Sequence, residues 1–234
     1  MTRALTIPDL LDRLEAFYGK QGPCWPVDPY SFLIWWHCGY PASDTTCTRG
    51  WKALKSEIGV APSELLGVAQ TRLVHALRAG GMVPEVRAMR VQQIAARVQN
   101  EFGGDLRSAL VGPLNDVCKL LKKFPGIADP GADRILLFGQ CTPIAAVPSN
   151  CPHVLVRIRA GLERENYGVN YREAQSLIEG EVPAQFGPRK RAFLLLKQHG
   201  QETCKRVKPK CGVCPVSACC AYYAGKDRGR THPV

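Results

Sequence analysis

Cys204, Cys211, Cys214 and Cys220 fall within one 17-residue stretch, spaced C-x6-C-x2-C-x5-C, and no other feature of this chain limits its options as much. The chain has eleven cysteines in all, an odd and scattered set that does not suit a secreted disulfide framework. In a reducing compartment such clustering points to metal. Zinc usually takes two close pairs separated by a longer finger, and only one close pair is present. A compact loop of four thiolates suits a 4Fe–4S cluster, each sulfur reaching one iron corner, with zinc and free thiols as the alternatives. Cys219 is an extra thiol beside the last ligand. Cys24, Cys38, Cys47, Cys118, Cys141 and Cys151 read mostly as small buried hydrophobes.

Charge is concentrated in the same region. The 234 residues carry a formal charge of +11, and Arg189 to Arg230 contribute eleven Lys and Arg against only Glu202 and Asp227. Clustered cations of this kind release counterions from a phosphate backbone, although a solvated basic face has the same composition. Lys205, Arg206, Lys208 and Lys210 fill the loop between the first two ligands, where they ease the field of an anionic cluster and present charge outward. Apolar residues make up 45% of the chain, which excludes intrinsic disorder. No apolar run approaches the roughly 18 residues of a membrane span, and Met1–Asp12 has no signal-peptide core. A cytoplasmic protein is expected, nucleoid-associated if bacterial.

The patterning is helical throughout, with no convincing period-two stretch. Pro8 opens a helix carrying Leu10, Leu11, Leu14, Phe17 and Tyr18 on one side. A Pro-rich link, Cys24–Pro29, leads to apolar Tyr30–Trp36, where Trp35 and Trp36 read as core residues. Pro62 starts another helix, and Gly80-Gly81 stops the segment after it. Val91, Ile94, Ala95, Val98 and Phe102 recur at helical spacing before Gly103-Gly104. Further helices are expected over Asn115–Phe124, Gly131–Phe138, His153–Ala160, Tyr171–Glu179 and Arg189–His199. The fold class is all-α.

Several segments then resemble one family in order. The four-Cys loop has the spacing of the endonuclease III branch of the helix-hairpin-helix DNA glycosylases. Phe193–Gly200 followed by Cys204 resembles the helix leading into that family's cluster. Phe124-Pro125-Gly126-Ile127-Ala128-Asp129-Pro130-Gly131-Ala132 resembles its hairpin, and Ala146–Asn150 with Val154–Arg157 the segment that carries its catalytic carboxylate. Asp28–Asp44 resembles the early helix and loop that push into the duplex. The likeness runs from about Asp28 to Ala221.

The resemblance implies two helical lobes with DNA across a cleft between them. One is a central bundle over 28–139 containing the hairpin. The other is a cluster lobe from 1–27 and 140–234, with the 4Fe–4S loop at 204–220. A hairpin turn offers backbone N–H groups to a phosphate, here from Gly126, Ile127, Ala128 and Gly131. The second hairpin glycine of the family is Ala128, and Pro130 removes one N–H. Tyr40 is placed to stack into a duplex, since the glutamine wedge of the family aligns with Pro41. Arg189, Lys190 and Arg191 would hold the backbone.

The family's chemistry is missing. Its Schiff-base lysine aligns with Pro130, which has no amine, and its aspartate aligns with Pro148. Fixing the register on Arg157 puts Pro152 at the carboxylate position instead. Asp44, Asp129 and Asp133 are nearby acids that read as caps or surface charges, and His153 as a helix-start histidine. No catalytic residue is assigned. The expected function is binding of damaged or abasic double-stranded DNA by a monomeric, base-excision-repair protein without AP-lyase activity. The alternatives are a monofunctional glycosylase with a relocated carboxylate and an iron–sulfur redox or scaffold protein that does not bind DNA.

Overall fold

A computed structural model describes residues 5–230, with side chains described as far as Gly225. The described residues form α-helices and short 3-10 turns without a strand, so the all-α expectation is met. They divide into two compact units. One consists of the described residues up to Gly22 together with those from Thr142 onward; the other is Pro23–Cys141. No described helix is long and apolar enough to cross a membrane.

The first unit opens with α1 (Ile7–Tyr18). Thr6 caps it by accepting from the Asp9 N–H at 3.2 Å, Pro8 pre-sets the first turn, and Gly19 at φ +73° ends it. Ile7, Leu10, Leu11 and Leu14 form its buried stripe. Phe17, expected on that stripe, is 52% exposed. At 100° per residue Tyr18 takes the stripe's centre in the last turn, and Phe17 falls at its edge. The same unit contains α9 (His153–Ala160), α10 (Tyr167–Glu181), α11 (Phe186–Glu202) and α12 (Ala221–Arg230). Leu14, Leu155, Ile178, Leu195 and Val216 meet in its core. Across that core the Ile7 N–H donates to Glu181 Oε2 at 2.7 Å, a carboxylate that also pairs with Arg159.

The second unit is built on α2 (Pro29–His37), capped by Asp28 through the Ser31 N–H at 2.9 Å. Phe32, Leu33, Ile34 and Trp35 are all buried, as a helix that is apolar all round requires. Around it lie α3 (Asp44–Glu57), α4 (Pro62–Gly67), α5 (Gln70–Leu77) and α6 (Pro84–Phe102). Helix α3 is absent from the expectation because it packs through small residues. Cys47, Gly50 and Leu54 are its buried positions, and a Cβ at Gly50 would come 2.5 Å from the Cys38 carbonyl oxygen. The unit closes with α7 (Leu114–Lys122) and α8 (Asp129–Phe138). Helix α8 begins two residues earlier than expected, since Pro130 lies in its first turn, where a missing N–H costs nothing.

Among the isolated cysteines, Cys38, Cys47 and Cys151 are buried and Cys118 and Cys141 half-buried, whereas Cys24 is exposed.

Candidate metal centre and nucleic-acid surface

The cysteine loop begins where α11 runs out. The His199 carbonyl accepts from both the Thr203 and Cys204 N–H groups, at 3.0 and 2.8 Å, and the Lys210 N–H returns to the Thr203 carbonyl at 2.9 Å. Short 3-10 turns at Cys211–Val213 and Ser217–Cys219 fold the remainder back, with Val216 pinned in the core. The four cysteines of the motif line one cavity, together with His199, Tyr222 and Tyr223. Cys219 is exposed and does not line it; its sulfur lies 3.5 Å from Arg13 Nη1. Among the described residues no group of three or more His, Cys, Asp or Glu side chains is placed to hold a metal ion.

Two residues that sequence reasoning gave no role hold this loop. Arg157 on α9 is buried and donates to the Lys205 and Arg206 carbonyls at 2.9 and 3.0 Å, approaches Cys204 Sγ at 4.0 Å, and pairs with Glu163. His199 is wholly buried, its Nε2 3.8 Å from Cys214 Sγ and its Nδ1 2.9 Å from the Tyr18 hydroxyl. His153, the helix-start histidine, is buried too and donates from Nε2 to the Cys204 carbonyl at 2.8 Å. Burial pushes the Cys204 thiol up to about 12, with Arg157 pulling it back. Arg157 and His199 lie inside the segments that resemble the glycosylase family, but only their side-chain directions separate them from ordinary helix residues.

In the second unit, α7 and α8 form the hairpin. Gly126 sits at φ +63°, a conformation glycine adopts without cost. The Ile127 N–H donates to the Phe124 carbonyl at 3.3 Å, and the Gly131 N–H to the Ala128 carbonyl at 2.9 Å. Both donors are thus spent inside the turn. Among the described residues the N–H groups of Gly126, Ala128 and Asp129 make no such bond; Ala128 and Asp129 open α8, and Gly126 lies in the turn before it. Asp129 lies in that first turn, paired with Lys122 Nζ at 2.8 Å. The pairing holds Lys122 above the usual lysine range.

The candidate acids are engaged. Asp44 pairs with Arg134 at 3.3 Å, and the Arg134 guanidinium lies 3.7 Å over the Trp25 ring. Asp133 is buried on α8. Pro130 is half-buried in the first turn of α8, and Pro148 is buried in the segment before α9. Tyr40 is 38% exposed and stacks on Trp36, with ring centroids 4.4 Å apart and 20° between planes. Trp35 is fully buried and Trp36 half-buried.

The basic triplet at the start of α11 is not three equivalent cations. Arg189 is buried. Arg191 donates to Asp12 at 2.8 Å and Glu15 at 2.7 Å on α1. Lys190 is half-exposed, 5.5 Å over the Phe186 ring. In the cysteine loop Arg206 pairs with Glu163, while Lys208 and Lys210 are exposed.

No protein-family model matches this chain, and no curated protein matches it in sequence. Solved structures do match in fold. The chain is similar to endonuclease III in a non-covalent complex with DNA, at 19% identity and a TM-score of 0.73, covering 96% of this chain and 97% of that one. It is similar to a thermostable thymine-DNA glycosylase at 19% identity and a TM-score of 0.71, covering 94% and 97%. A Helicobacter pylori 3-methyladenine DNA glycosylase bound to 1,N6-ethenoadenine matches at 14% identity and a TM-score of 0.62, covering 85% and 98%. The fold is endonuclease III-like over nearly the whole chain.

Proposed function

We propose that this protein binds damaged or abasic double-stranded DNA, carries a 4Fe–4S cluster on Cys204, Cys211, Cys214 and Cys220, and has no Schiff-base lyase chemistry. The observation that carries the DNA reading is the hairpin turn of an endonuclease III-like fold with the Gly126, Ala128 and Asp129 N–H groups unspent. Such groups at a helix start suit a phosphate. Exposed Lys208 and Lys210, with half-exposed Lys190, supply cations for further backbone contacts.

The cluster reading rests on the donor set. Four thiols lining one cavity, at the C-x6-C-x2-C-x5-C spacing with only one close pair, suit a polynuclear group better than zinc. When bound, such a cluster supplies four covalent cross-links within the loop and a one-electron couple. Arg157 and His153 hold the surrounding backbone, and the loop cations offset the negative charge.

The chemistry is read from what stands at the key positions. Pro130 brings no amine to the start of α8, and the nearby Lys122 is held protonated by Asp129, unfit as a nucleophile. Asp44 and Asp129 each face a cation, which disfavours either as a relocated base. Affinity for abasic and undamaged duplexes, measured against salt beside iron and acid-labile sulfide content, tests the reading. Absence of salt-dependent binding overturns its DNA part, and stoichiometric zinc without sulfide overturns its cluster part.

A further inference from the structure

One chain of side chains ends on a motif cysteine. Thr203 Oγ1 lies 2.6 Å from the Tyr18 hydroxyl, that hydroxyl 2.9 Å from His199 Nδ1, and His199 Nε2 3.8 Å from Cys214 Sγ. Tyr18 ends α1, His199 sits in the last turn of α11 with no solvent exposure, and Cys214 lines the same cavity as His199. An imidazole reaching Cys214 differs from what meets the other buried sulfurs. Cys204 faces the Arg157 guanidinium, and Cys220 faces the Arg157 carbonyl oxygen at 3.8 Å.

A metal-bound thiolate can only accept a hydrogen bond. With Cys214 as a ligand, the imidazole must therefore carry its proton on Nε2, leaving Nδ1 as an acceptor. In the structure the Tyr18 hydroxyl donates to Thr203 Oγ1; with Nε2 protonated, its hydrogen turns to Nδ1 instead and the Thr203 hydroxyl rotates to donate back to Tyr18. Every member is satisfied in this one direction, and neutral histidine suffices. An N–H···S bond removes charge from one sulfur, favouring the reduced form of the group it ligates.

We infer that His199, fixed in its Nε2–H tautomer by Tyr18, is a positioning residue that donates to Cys214 Sγ and raises the reduction potential of the bound cluster. This rests on the cluster reading above. Arg157 reaches Cys204 and backbone N–H groups reach Cys214 and Cys220, so the imidazole adds to a set of N–H···S contacts around the loop.

The test uses the full-length, cluster-loaded protein and its Tyr18→Phe, His199→Phe and His199→Gln variants. Iron and acid-labile sulfide are counted first, then the potential is measured by protein-film voltammetry and the Fe–S(Cys) stretches by resonance Raman. Tyr18→Phe and His199→Phe should shift the potential to more negative values and move one Fe–S(Cys) stretch to higher frequency; His199→Gln, which keeps an N–H, should recover part of both shifts. If His199→Phe does not load, Tyr18→Phe alone decides, since its ring is retained and only the hydroxyl is lost. Wild-type protein without iron and sulfide would sink the cluster reading itself. Loaded variants with unchanged potential and stretches would overturn this inference and leave that reading standing.

Discussion

His37 Nε2, at the end of α2, donates to the carbonyl oxygen of Pro125 in the hairpin turn at 2.8 Å. The central helix of the second unit thereby holds the residue next to Gly126, and a carbonyl partner requires the proton to be on Nε2. Burial lowers His37 from 6.5 to about 4, so the folded protein keeps it neutral while the unfolded chain binds a proton. Its contribution is therefore full above pH 6.5 and is lost as pH falls towards 4. Its size is about 3 kcal/mol. Melting temperature against pH should fall through that window, and His37→Gln should flatten the fall even if it lowers stability at pH 7. A parallel pair of curves would refute the assignment.

At the same hairpin Asp129 puts a carboxylate in the first turn that a phosphate would approach. Two unit charges about 6 Å apart in water repel by about 0.7 kcal/mol, roughly threefold in affinity. Asp129→Asn should tighten binding to duplex DNA by about that factor, because it also releases Lys122. Gly126→Ala should weaken binding, since a Cβ at φ +63° costs about 1 kcal/mol. Fluorescence anisotropy at fixed salt reads both, and a weaker Asp129→Asn complex would remove the hairpin from the binding surface.

The basic residues should separate by role. Arg191→Ala breaks the pairs to Asp12 and Glu15 and should cost about 1 kcal/mol, a few degrees of melting temperature, with little change in salt slope. Lys208→Ala with Lys210→Ala should leave stability unchanged and reduce the slope of log affinity on log salt by about two. The opposite partition would mean that the loop lysines only solvate the fold.

Cys204→Ala should lose iron and lower soluble yield, because the loop has little core beyond Val216 to hold it. Cys219→Ala, whose side chain lies outside the cavity, should keep both. Equal iron loss in the two variants would contradict the ligand set.

Borohydride trapping on abasic-site DNA should give no covalent adduct above the background from exposed lysines. A strong wild-type adduct would mean that an amine other than one at the Pro130 position reaches the sugar.

Much of this was legible in the chain because the signals are local. Leu10, Leu11 and Leu14 announce α1, the Gly126 turn announces the hairpin, and His153–Ala160 has the same bounds by pattern and by structure. Helix α3 was not legible, since its contacts are made by Cys47 and Gly50 rather than by a stripe of aliphatics. Composition treats Arg189, Lys190 and Arg191 alike; burial of the first and ion pairs on the third depend on α1, far away in sequence. The same distance conceals Tyr18, which reads as a core aromatic until His199 and Thr203 are found at its hydroxyl.

The bond from the Ile7 N–H to Glu181 spans 174 positions, and it sets an order of events during synthesis. At 5–20 residues per second, α1 leaves the ribosome roughly 10–35 s before its carboxylate partner exists. Pro23–Cys141 is contiguous and can complete its fold within that interval. Throughout it, Leu10, Leu11 and Leu14 lack the later-made residues against which they pack. Cys204 to Cys220 emerge later still, so the loop proposed to carry the cluster can be loaded only after the carboxylate partner of α1 has been made.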